Sequence, residues 1–169
     1  MANWTDFRPT RLLADLVGAG VDFVIIGGVA VALQAQPRFT KDLDVCYAVD
    51  SANLERMERV LTALNARLRG IDDTVPFVAD ARMLSQMQIL TLTTDLGEID
   101  LLVDPSGAPP YAELRSEADV VDVGGIEVRV ASIDHLTAMK RAAGRPQDLA
   151  DLEALEIARR RRGRRRRRQ

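Results

Sequence analysis

Arg38-Phe39-Thr40-Lys41-Asp42-Leu43-Asp44-Val45-Cys46-Tyr47 carries two carboxylates two positions apart in an apolar, β-prone stretch. On a strand, side chains two apart leave from the same face, so Asp42 and Asp44 project together while Leu43 and Val45 turn the other way. Two carboxylates held side by side can share hard divalent cations, which take oxygen ligands. A pair of Mg²⁺ ions about 4 Å apart clamps the attacking and leaving oxygens of an in-line phosphoryl displacement.

Upstream, Phe23-Val24-Ile25-Ile26 reads as a buried strand stopped by Gly27-Gly28, and Val29 to Ala35 as a short helix ending before Pro37. Backbone N–H groups at a helix start attract phosphate, and glycine permits close approach. Alone, a Gly-Gly turn is a weak signal, because many strand-to-helix turns use glycine for backbone reasons only. Arg38, Thr40 and Lys41, just ahead of the aspartates, are placed to counter phosphate charge. Arg38 and Lys41 serve equally well as solvated loop charges balancing Asp42.

Downstream, Leu43 to Tyr47 is a strand, and Asp50 or Ser51 caps a helix from about 53 to 68 closed by Gly70. Residues 71–86 show no clean period. Gln88 to Thr94 and Glu98 to Val103 form a hairpin through Asp95-Leu96-Gly97. The second of these strands carries Asp100 between Ile99 and Leu101. It points away from its aliphatic neighbours, since sharing their face would bury an uncompensated charge. Asp100 is thus a candidate third metal carboxylate; a solvent-facing strand aspartate is the plain alternative. A second hairpin spans Val120 to Val130, with Gly124-Gly125 at its turn. Ser132 caps a helix to about Ala143, and Asp148 starts a last helix containing Leu149, Leu152, Leu155 and Ile157. The fold class predicted is α+β, a mixed sheet of about five strands flanked by helices.

At 169 residues with 47 % hydrophobic content, the chain suits one globular domain, taken as residues 1–158. No signal peptide and no membrane span is expected, and the single cysteine, Cys46, fits a cytoplasmic protein. Residues 159–169 form an Arg-rich tail with nine arginines. Taking those nine from the 23 basic residues leaves 14 against 25 acidic ones, so the body is strongly acidic. Such a tail is expected to be disordered in isolation, and it serves as an RNA phosphate contact, a solubilising end, or a segment lying back on the acidic body. His135 has no second histidine or thiol cluster to make a zinc signature, and Cys46 has no histidine to activate it. Lys140, one of two lysines, is a compact charge suited to a triphosphate oxygen or an ordinary surface helix residue.

Taken together, Ile25-Ile26-Gly27-Gly28, Asp42-Leu43-Asp44 and Ile99-Asp100-Leu101 resemble the nucleotidyltransferase superfamily that includes DNA polymerase beta. The stretch Arg38 to Asp44, with Met139-Lys140-Arg141 and the following Arg145 and Asp148, is similar to the small bacterial branch that holds the abortive-infection type IV toxins. The resemblance covers about residues 12 to 157. It implies a nucleotidyltransferase-like domain in which Gly27 and Gly28 hold the triphosphate and Asp42 and Asp44 bind Mg²⁺, two ions in all. Asp100 then completes the metal site or accepts the acceptor hydroxyl's proton. Lys140 contacts nucleotide phosphates, with Asp148 orienting it.

The implied reaction moves a nucleoside monophosphate from an NTP to a hydroxyl. RNA such as tRNA is the favoured acceptor, within a toxin–antitoxin or abortive-infection system with an antitoxin partner. A protein or small-molecule acceptor, and a non-catalytic scaffold of the same fold, are the alternatives. Larger toxins of this kind carry a C-terminal helical domain. This chain has only arginines there, so acceptor positioning falls to the open face, the tail or a partner.

Overall fold

The computed structural model describes residues 7–72 and 74–166, the side chain of residue 166 excepted. Its elements in chain order are α1 (Pro9–Gly18), β1 (Phe23–Ile26), α2 (Gly27–Gln34), β2 (Asp42–Tyr47), α3 (Ser51–Ala63), β3 (Arg67–Leu68), α4 (Ala81–Gln86), β4 (Ile89–Thr94), β5 (Gly97–Leu102), α5 (Tyr111–Ser116), β6 (Asp119–Asp122), β7 (Glu127–Val130), α6 (Ile133–Ala143) and α7 (Pro146–Arg166). The strands make one mixed sheet in the order β3-β4-β5-β2-β1-β7-β6. β1 runs antiparallel to β2 and parallel to β7, and β2 runs parallel to β5. No described helix is long and apolar enough to cross a membrane.

The expected α+β class with a mixed sheet and flanking helices is what the structure has, but the sheet holds seven strands among the described residues rather than about five. One addition is β3, in the stretch where the sequence predicts helix up to Leu68. Asn65 takes a left-handed φ of 50° and ends α3 early. The Ala66 N–H then bonds the Leu61 carbonyl (2.9 Å) and the Asn65 N–H the Thr62 carbonyl (3.1 Å), the paired bonds of a Schellman stop. The chain leaves the helix there and pairs Arg67 and Leu68 with β4.

The core follows the strand alternation. Leu43, Val45, Ile99 and Leu101 are fully buried, while the aspartates between them are only partly covered. The helices start where the chain offers caps: Asp50 accepts from the Asn53 N–H ahead of α3, and Ser132 from the His135 N–H ahead of α6. The last helix differs from expectation. The Arg-rich segment predicted to be disordered continues α7 through Arg166; residues 167–169 lie outside the described residues. Buried Ala154, Leu155 and Ala158 fasten α7 to the body, and arginine is a good helix former. Arg159 pairs with Asp134, and Arg162 with Asp119 (2.9 Å) and Gln34, so part of the basic charge is absorbed locally.

Candidate active site

Strand register brings the predicted carboxylates together. Across the sheet, Ile26 on β1 faces Asp44 on β2, Asp44 faces Asp100 on β5, and Asp100 faces Thr91 on β4. Neighbouring strands lie about 4.8 Å apart, so Asp44 and Asp100 are adjacent and Asp42 is one pleat away on the same face. Because β1 ends opposite Asp44, the Gly27-Gly28 turn leaves the sheet beside that carboxylate. The three aspartates, both glycines, Arg38, Thr40 and Lys140 all line one cleft of about 570 Å³. Lys41 is exposed and does not line it, and Asp148 is buried behind Lys140.

Gly27 cannot be another residue. It has a φ of 66°, and a Cβ there would stand 2.0 Å from Asp44 Oδ2. Asp44 also accepts a hydrogen bond from the Gly28 N–H, so the carboxylate sits against the start of α2. The Thr40 hydroxyl, shared between the Asp42 carbonyl (3.2 Å) and carboxylate (3.3 Å), braces that residue.

The cluster is short of positive charge. Burial, reinforced by Asp42 and Asp100, raises the Asp44 carboxyl from an ordinary 3.8 to about 7. Burial likewise raises Asp100, with Arg69 pulling against it. Three convergent carboxylates that burial and mutual repulsion disfavour in the charged form fit a divalent cation, whose charge would relieve both. The sign of the linkage is set by the raised value. Folding favours protonated Asp44, so this stabilisation is complete below about pH 4 and disappears as pH rises through 7. Melting temperature in chelator is therefore expected to fall between pH 5 and 8, less so in Asp44→Asn. Parallel profiles for the two proteins would contradict this.

The sequence does not single out Arg69. Its guanidinium donates to Asp100 at 2.7 Å and to the Leu92 carbonyl at 3.3 Å. It also lies 3.4 Å from Glu98 and 3.9 Å from Asp42. Arg69 thus lies against Asp100, Glu98 and Asp42 on one side of the cluster, while Lys140 acts on Asp44 from the other. In Arg69→Ala, melting in chelator should drop by several degrees and divalent affinity should rise several-fold in calorimetry. An unchanged affinity would show that Arg69 does not compete for these carboxylates.

On the far wall, Lys140 is buried, with its Nζ 2.9 Å from Asp148 and 2.8 Å from Asp151. Arg38 reaches Asp151 at 2.6 Å and Arg145 reaches Asp148 at 3.1 Å. Asp148 is also the third residue of α7 and accepts from the Arg145 N–H (3.0 Å), which caps that helix behind Pro146. Burial works to raise the Asp148 carboxyl, but hydrogen bonds from Arg145 and Lys140 outweigh it and hold it at about 2. Asp151 has no role in the sequence reading. Its spacing of three from Asp148 puts both on one helix face, which is the available signal.

Two other groups stand apart. Burial, with Asp104 adding to it, pushes the Cys46 thiol up to about 11, which leaves it unreactive near neutrality. Glu113, Glu117 and His135 offer ligand atoms within 4.8 Å of one another, but none of the three lines the cleft.

Comparison with known proteins places the chain among the nucleotidyltransferases. The antibiotic-resistance factor ANT(2″)-Ia, crystallised with adenylyl-2″-tobramycin, superposes with a TM-score of 0.54 at 14 % identity over 86 % of this chain and 84 % of that one. Its solution structure gives 0.54 at 15 % identity, over 88 % and 79 %. JHP933 from Helicobacter pylori gives 0.46 at 21 % identity, over 85 % and 61 %. No curated protein matches the sequence. The family model of the nucleotidyl transferase AbiEii toxin, of type IV toxin–antitoxin systems, matches residues 11–162. The chain belongs to that family.

Proposed function

We propose that the protein transfers a nucleoside monophosphate from an NTP to a hydroxyl of an RNA acceptor, with Mg²⁺, as the toxin of a type IV system in the cytoplasm, restrained by an antitoxin. The observation that carries this is the in-register pair Asp44–Asp100 beside the Gly27-Gly28 turn, with Asp42 on the same face.

Asp42, Asp44 and Asp100 would hold two Mg²⁺ ions. When bound, those ions neutralise triphosphate charge and lower the proton affinity of the attacking hydroxyl. The chain's own residues do the rest by position. The Gly27-Gly28 turn offers backbone N–H groups to the triphosphate. Arg38 and Lys140 add positive potential along the wall opposite the carboxylates. Thr40 braces Asp42. The acceptor hydroxyl oxygen attacks the α-phosphorus, the bond to the α–β bridging oxygen breaks, and pyrophosphate leaves. The hydroxyl proton passes to a cleft carboxylate, for which Asp100, partly buried and raised in proton affinity, is suited.

The direct test supplies each α-labelled NTP with Mg²⁺ and total cellular RNA, with protein and small metabolites of the same lysate as competing acceptors. Label is expected on RNA and absent with chelator. Label on protein or on a small molecule alone would overturn the RNA assignment, and no label with any NTP would overturn transfer itself.

A further inference from the structure

The arginines at the end of α7 divide between two faces of the helix. Arg159 and Arg162 are three apart, share a face, and bind Asp134, Asp119 and Gln34 on the body. Arg161, Arg164 and Arg165 have the i, i+3, i+4 spacing and fall on the opposite face. All three are exposed, and none is paired with another described residue. The first pair docks the helix, and the remaining three present a stripe of unneutralised guanidinium groups to solvent.

The stripe stands at a set distance from the cleft. Gln147, in the first turn of α7, lines the cleft. Arg161 to Arg165 follow 14 to 18 residues later on the same helix. At 1.5 Å per residue that is about 21–27 Å. A stacked nucleic acid strand has a phosphate about every 3.4 Å, so this span corresponds to about six to eight nucleotides.

Resting on the RNA reading above, we propose that this face of α7 is a measuring arm. It grips the phosphate backbone of the acceptor RNA about six to eight nucleotides beyond the point where the strand leaves the cleft at Gln147. Arginine suits the task, because its planar fork binds phosphate oxygens in pairs and stays charged at any relevant pH. The acidic body elsewhere repels a polyanion, which confines the strand to the arm and the basic cleft wall. The exposed arginines therefore select acceptor length rather than sequence.

The test compares the full chain with Arg161→Gln/Arg164→Gln/Arg165→Gln, which leaves the docking arginines and the cleft intact. Fluorescence anisotropy without NTP uses a 12-nucleotide RNA. The triple variant should bind at least tenfold more weakly at low salt. Its salt slope should be smaller by about 2, or about 0.7 for each phosphate no longer gripped. Transfer assays then use acceptors of 4 and 12 nucleotides. KM for the longer should rise in the variant, kcat should hold, and KM for the shorter should not change. Equal affinity and slope, or equal KM changes for both lengths, would overturn the arm. So would polyglutamate competing as well as RNA, which would assign the face to an acidic protein. Because binding is read without turnover, failure of the arm is distinguishable from failure of the transfer reading.

Discussion

Asp44→Asn is expected to abolish nucleotidyl transfer while leaving a folded protein that melts no lower than wild type in chelator at pH 8. Asparagine keeps the shape and an oxygen to accept from the Gly28 N–H, so packing against the start of α2 survives. It removes the charge on the one carboxylate that touches the glycine turn and neighbours both Asp42 and Asp100. Losing a metal ligand is worth several kcal/mol of transition-state stabilisation, so a drop of about a thousandfold or more should follow. Metal-free stability should move the other way, because a repulsive buried charge is gone. The measurements are initial rates with labelled NTP and melting curves in chelator. Activity within tenfold of wild type would remove Asp44 from the metal site.

Lys140→Met should produce a large stability loss. Lys140 bridges Asp148, which is 1 % exposed, and Asp151, which is 5 % exposed. Methionine fills the same space without the charge, leaving two buried carboxylates to Arg38 and Arg145, whose side chains are 30 % and 58 % exposed. Removing one partner of a buried ion pair typically costs about 3–5 kcal/mol. For a chain of this length that is a melting decrease of about 10 °C. Loss below about 1 kcal/mol in urea unfolding would mean the aspartates are satisfied without the lysine. The triple change Lys140→Met/Asp148→Asn/Asp151→Asn separates causes: it should recover much of the stability and none of the activity. Charge relief would account for the first, and the missing cation on the cleft wall for the second.

What the sequence made legible was local and periodic. The alternation around Leu43, Val45, Ile99 and Leu101 predicts which way Asp42, Asp44 and Asp100 point, and the core has those apolar residues fully buried. Asp50 and Ser132 announce their helices through the side-chain caps observed. Arg69 was illegible for a specific reason. Its place depends on α3 stopping at Ala63, and an apolar period that runs on to Leu68 conceals the stop. The readable clue was Asn65, a residue that tolerates the left-handed conformation. Lys140 was visible as an oddity in an arginine-rich chain, but its two carboxylate partners come from the far side of the Gly144 turn, and no periodicity reports such a pairing. For the basic tail, composition left both disorder and a segment lying back on the acidic body open, and the contacts of Arg159 and Arg162 match the second. Charge density argued for disorder, whereas anchors upstream and acidic residues on distant elements give the helix somewhere to lie.

The parallel pairing of β2 with β5 also sets the moment at which the carboxylates of a newly made chain can meet. Asp44 and Asp100 are more than fifty positions apart in the chain and meet only across that pair. Contacts between such distant segments form late, after the intervening chain has been synthesised and closed into a loop. Lys140 and α7 emerge from the ribosome later still. A polypeptide that ends before β5 therefore has Asp42 and Asp44 without the carboxylate that faces Asp44 across the sheet.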